Sequence, residues 1–106
     1  GAGGWRLPLN QTQWLSDFVK SNQLDVILVV GMKLGCLNHA LLTQEAIKHD
    51  GLRLAGWIAN QLEEPMELYQ QNLDYLISSI DAPFLGEVKS NQRSDAAQPV
   101  FDFSLL

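Results

Sequence analysis

The chain has 106 residues, 46% of them hydrophobic and 18% charged, a size and balance that suit one packed domain and argue against disorder. Its net charge is -5, from 7 Lys+Arg against 12 Asp+Glu, and it has no basic cluster, which disfavours a nucleic-acid backbone or an anionic membrane as partner. The single cysteine, Cys36, cannot form an internal disulfide and points to a reducing, cytoplasmic setting, and the apolar run Val26 to Val30 is too short to span a bilayer.

In chain order, the first feature is the glycine cluster Gly1-Ala2-Gly3-Gly4, with no strand before it. It resembles no signal peptide and lacks an initiator methionine, so the chain is expected to be a processed product or a piece of something longer. Asn10 or Thr12 is expected to cap a helix over about Gln13 to Lys20, whose apolar side is Trp14, Leu15, Phe18 and Val19. Asp25 to Val30 is apolar without alternation, which predicts a strand buried on both sides. Asn38 to His49 carries Leu41, Leu42, Ala46 and Ile47 at helical spacing, and Gly51 suits the left-handed stop after such a helix. Arg53 to Ala59 predicts a second strand. Pro65 suits the first turn of a third helix, with Met66, Tyr69, Leu73, Leu76, Ile77 and Ile80 on its apolar side, and Glu63-Glu64 would favour that helix's positive end. Ala82 to Val88 predicts a third strand, Lys89 to Gln98 is polar, and the alternation in Val100 to Leu106 suggests a short last strand. Strands alternating with helices imply an α/β fold, a parallel sheet with helices on both faces. Residues 1–106 are read as one partial domain, with 89–106 as its less certain tail.

In such sheets ligands gather beyond the carboxyl ends of the strands, so the loop Gly31-Met32-Lys33-Leu34-Gly35 after the first strand is the first place to test. A Walker loop needs Gly-x-x-x-x-Gly-Lys-Ser/Thr. Here Lys33 precedes the second glycine, and neither Cys36 nor Leu37 replaces the hydroxyl that would ligate magnesium. The dinucleotide pattern Gly-x-Gly-x-x-Gly is absent too. A helix opening near Leu37 would still aim free N–H groups into the loop, beside Lys33, and these suit a carboxylate as well as a phosphate. The plainer reading is that Gly35 only lets the chain turn.

Four stretches fall in an order that resembles the dethiobiotin synthetase family: Gly-Ala-Gly-Gly-Trp, the run from Asp25 to Thr43 containing Val-Gly-x-Lys-Leu-Gly-Cys-x-Asn-His, Leu54-Ala-Gly-Trp-Ile-Ala-Asn, and Ala82-Pro-Phe-Leu-Gly-Glu-Val. The match covers Gly1 to about Val88. The resemblance implies a P-loop NTPase-type fold and a homodimeric cyclo-ligase of biotin synthesis that uses ATP, Mg2+ and CO2 to close a urea ring on 7,8-diaminopelargonate. It implies that Leu34, Gly35, Cys36, Leu37 and Asn38 receive the substrate's carboxylate across the dimer. It places Gly1, Ala2, Gly3 and Gly4 near phosphate and substrate, and Asn60, Glu87 and Val88 at the nucleotide base. The family's metal-proximal glutamate would precede Gly1, and its P-loop, lysine and aspartate lie upstream, so this looks like the C-terminal half of the enzyme. No catalytic residue or metal ligand of the family is matched here, and the chain alone is expected to be inactive. Two departures stand beside the base: Gln61 where the family has aspartate, and Lys89-Ser90-Asn91 where it has Pro-Trp-Leu.

Other residues support blander roles. Cys36 and His39 could form a nucleophile pair, but no third orienting group is evident, and packed cysteines are common. His39 and His49 lack zinc spacing. Trp5, Trp14 and Trp57 suit packing. The competing reading of the whole chain is a non-catalytic dimerisation or binding module, or a degenerate paralogue.

Overall fold

A computed structural model describes residues 4–62, 67–90, 100–104 and 106. The elements are α1 (Leu15–Ser21), β1 (Val26–Gly31), α2 (Cys36–His49), β2 (Leu54–Asn60), α3 (Tyr69–Ser79) and β3 (Phe84–Val88). The three strands form one parallel sheet in the order β1-β2-β3, so the α/β class expected from the alternation of strands and helices is what the chain adopts. Its ladder continues past the strand ends, where the Met32 amide donates to the Asn60 carbonyl and the Gln61 amide to the Val88 carbonyl, both at 2.8 Å.

The core lies between this sheet and its helices. Val30, Trp57 and Ala59 meet Ala40 and Ile47 of α2 and Leu73 and Leu76 of α3. Trp57 is fully buried, and its ring stacks at a tilt against Phe84 of the neighbouring strand, 4.7 Å between centroids. Gly56 lets Leu85 lie flat on the sheet, since a Cβ there would stand 2.7 Å from Leu85 Cδ1. Gln44 joins α2 to the turn after α3. Its Oε1 accepts from the Asp81 amide at 2.6 Å, and its Nε2 donates to the Ser79 carbonyl at 3.3 Å.

Three expectations are corrected. β1 is not buried on both sides: Val26, Leu28 and Val30 turn inward, while Ile27 and Val29 stay 41% and 56% exposed. An unbroken apolar run does not say which face a helix covers, and β1 is an edge strand of this sheet. α1 is not capped by Asn10 or Thr12. Asn10 Oδ1 accepts instead from the amides of Thr12 and Gln13, each at 2.9 Å, closing a turn of its own. The helix starts after Trp14, whose amide donates to Asp17 Oδ2 at 2.7 Å. Val100 to Ser104 forms no strand. One amide, that of Asp102, donates to the Leu85 carbonyl at 2.7 Å, and Phe101 fills the space over Gly86. Among the described residues the expected last strand therefore reduces to one backbone hydrogen bond and the packing of Phe101 on β3. The first turn expected at Pro65 and Met66, with Glu63-Glu64, and most of the polar stretch after Ser90 lie outside the described residues. No helix among the described residues is long and apolar enough to cross a membrane.

Candidate functional site

The parallel register lays Gly31, Asn60 and Val88 side by side at the carboxyl ends of the three strands. With strands about 4.8 Å apart, the row is about 10 Å wide. It brings the two sets of residues read from the sequence to one edge of the sheet, the glycine loop at one end and the base-side group at the other.

At the loop end, two amides are used internally: Lys33 donates to the Gly31 carbonyl and Cys36 to the Lys33 carbonyl, both at 3.0 Å. These bonds shape the turn. Gly35 then takes the left-handed conformation, φ +93°, with no atom within 4 Å of where a Cβ would sit, and α2 begins at Cys36. The Gly35 carbonyl accepts from the His39 amide at 3.1 Å, the first bond of the helix. Among the described residues the amides of Leu34, Gly35, Leu37 and Asn38 have no acceptor. They stand at the positive end of a 14-residue helix with Lys33 beside them, an arrangement that suits an anionic group. Leu34 is 94% exposed, so the turn opens outward, away from the core.

A cavity of about 530 Å³ runs along the outer edge of β1, walled by α2 and by Gly4 and Trp5. Lys33, Cys36 and His39 line it near the loop. Gly4 is held at φ +135°, and a Cβ there would stand 3.7 Å from His39 Nε2, so the end of the glycine cluster meets the first turn of α2. Gly1, Ala2 and Gly3 lie outside the described residues. Cys36 is buried and His39 exposed, and no hydrogen bond joins them among the described residues, so the geometry gives no nucleophile pair.

At the other end, Glu87 accepts from the Tyr69 hydroxyl at 2.7 Å. Burial first, and this bond to a carboxylate second, push the Tyr69 pKa far above the ordinary tyrosine value, so the phenol remains a donor. Lys89 Nζ lies 3.9 Å from the same carboxylate. Gln61 is buried, and its Oε1 accepts from the Ser90 amide at 3.0 Å, which pins the segment after β3 beside Asn60. Among the described residues no group of three or more His, Cys, Asp or Glu is gathered as for a metal ion.

Reading the sequence missed Tyr69 and Gln61. Tyr69 sits in phase with an apolar stripe and looked like packing, and its carboxylate partner lies 18 residues on. Gln61 looked only like a departure, because its partner amide, 29 residues away, becomes visible only once β2 and β3 are paired.

A family model described as an AAA domain matches residues 1–98. The ATP-dependent dethiobiotin synthetase BioD of Aeromonas salmonicida is 58% identical over 88 residues, which is 83% of this chain and 39% of that protein. The protein of that name from Cellvibrio japonicus is 49% identical over 108 residues, covering 100% of this chain and 47% of its own length. The chain thus spans less than half the length of these relatives. It belongs to the AAA domain family of P-loop NTPase type, and the relatives it matches there are dethiobiotin synthetases.

Proposed function

We propose that this chain is the C-terminal part of an ATP-dependent cyclo-ligase that makes dethiobiotin from 7,8-diaminopelargonate and CO2, working as a cytoplasmic homodimer. One amine takes up CO2 as a carbamate. ATP transfers its terminal phosphoryl group to the carbamate oxygen, leaving ADP. The second amine then attacks the carbonyl carbon, the bond to phosphate breaks, and a cyclic urea remains.

The observation that carries this reading is the set of open amides at Leu34, Gly35, Leu37 and Asn38 on an outward-facing turn. A carboxylate tail held there is neutralised by N–H donors and Lys33, and the exposure of Leu34 suits a substrate bound mainly by a second subunit. Gly4, with Gly1, Ala2 and Gly3 before it, would bring backbone close to the phosphate. Asn60, Glu87 and Val88 would face the base. Glu87 Oε2 accepts from the Tyr69 hydroxyl, which holds the side chain toward α3. Mg2+ belongs to the proposed reaction, and among the described residues no group of three or more His, Cys, Asp or Glu is gathered to hold it. Phosphoryl transfer needs positioned cations, the family's P-loop lysine and metal carboxylates are not among the residues matched here, and the chain alone is expected to be inactive. β1 is an edge strand, where the rest of the protein would continue the sheet, and its exposed Ile27 and Val29 mark a face that the rest would cover.

The test is ATP-dependent fixation of labelled CO2 into 7,8-diaminopelargonate by the full-length protein. Formation of a labelled cyclic urea with release of ADP is expected. ATP turnover that does not depend on the diamine would overturn the assignment.

A further inference from the structure

Asp50 follows the last turn of α2, yet it is bonded to the segment that begins the chain. Its Oδ2 accepts from Trp5 Nε1 at 2.7 Å, and its Oδ1 lies 3.3 Å from Arg6 Nη2 and 3.8 Å from Lys20 Nζ. The side chain is only 4% exposed. Three elements converge on this one carboxylate: the segment after the glycine cluster, α1 and α2. Trp5 packs against the core and, with Gly4, forms one wall of the cavity beside β1. Gly4 is adjacent to Trp5 in the chain and reaches His39 at the other end of the same helix. The Trp5 side chain is therefore fixed by Asp50, while Gly4, one residue before it, meets the His39 side chain at the candidate site.

We infer that Asp50 is a positioning residue: by holding the Trp5 indole it sets where Gly4 meets His39 in the first turn of α2. Gly4 has no side chain with which to anchor itself, and it occupies a backbone conformation that nothing in its own covalent structure selects over others. An indole N–H bonded to a buried carboxylate supplies the missing restraint, since hydrogen bonds to charged groups are the stronger kind. Arg6 and Lys20 keep that carboxylate ionised and aimed at the indole. The catalytic consequence rests on the proposed cyclo-ligase reading; the anchoring itself does not.

The experiment uses the full-length protein with Asp50→Ala, Trp5→Phe, the double variant and Asp50→Asn. Two quantities are read: kcat/KM for urea-ring closure, and the 15N order parameter of the Gly4 amide without ligand. Asp50→Ala and Trp5→Phe should each lower kcat/KM by ~10-fold and lower the Gly4 order parameter from the rigid range, roughly 0.85, to below about 0.6, with β2 amides unchanged. The double variant should be no worse than either single one, because both remove the same bond. Asp50→Asn keeps an acceptor and should restore most of both quantities. An unchanged Gly4 order parameter in Asp50→Ala, or kcat/KM losses that multiply in the double variant, would overturn the inference. If the wild-type protein closes no urea ring, the functional reading fails, and the Gly4 order parameter alone decides whether Asp50 anchors the segment.

Discussion

At the C-terminal end of α2, Asp50 is enclosed by Trp5, Arg6 and Lys20, Gly51 takes the left-handed turn at φ +78°, and the Asp50 and Gly51 amides return to the helix's own carbonyls. At the N-terminal end Gly35 takes a similar left-handed conformation, yet four amides around it have no acceptor among the described residues, and Leu34 stands in solvent. Glycine at both ends solves the same steric problem, but only the C-terminal end is then closed by side chains. Buried main-chain donors are almost always paired. An end left open and solvent-facing is where a ligand's charge can be used, and an end closed by a carboxylate is where rigidity comes from.

Substitutions should separate the fixed interior from the open turn. The largest effect is expected from Trp57→Ala, which empties a fully buried site stacked on Phe84 and should cost about 3–5 kcal/mol in denaturant unfolding. Gly56→Ala comes next. Its new methyl group would press on the buried Leu85, for a loss of about 1–3 kcal/mol. Gly35→Ala meets open space, so only backbone strain remains and the loss should be about 1 kcal/mol. A Gly35→Ala loss as large as that of Gly56→Ala would mean that the turn is packed rather than open.

The closed end should also show in the pH dependence of stability. Burial pushes the Asp50 pKa up, but the bonds from Trp5 and Arg6 and the charges of Arg6 and Lys20 outweigh it and hold it below the ordinary aspartate value. A folded-state pKa below the unfolded one gives stability that is present above about pH 4 and lost as the pH falls through the folded value. In acid titrations followed by circular dichroism, Asp50→Asn should flatten that loss.

How much of this was legible in the sequence follows from how local each signal is. The Val-Ile run, the stripe of α2 and Gly51 are read within one element, and they give the strand, the helix and its left-handed stop where expected, while Gly35, legible only as a turn, is left-handed as well. The loop's outward opening follows from where the helix begins, which the sequence places within a residue or so. What depends on distant partners was not legible. The bare side of β1 depends on what lies beside it, and the Asp50 clamp joins residues 45 positions apart. The same holds for Tyr69 with Glu87, made when α3 packs on β3, and for Gln61 with Ser90, made when β2 pairs with β3.

The most direct measurement concerns Asn38, exposed in the first turn of α2 with its amide open. Asn38→Asp changes almost no volume, and a negative charge at this end of a helix should leave stability the same or slightly higher. If the turn holds the substrate's carboxylate, steady-state kinetics of the full-length variant should show KM for 7,8-diaminopelargonate raised by ~10-fold or more, with KM for ATP within about twofold of wild type. An unchanged diamine KM in a stably folded Asn38→Asp protein would contradict the account, because no carboxylate could then lie at that turn.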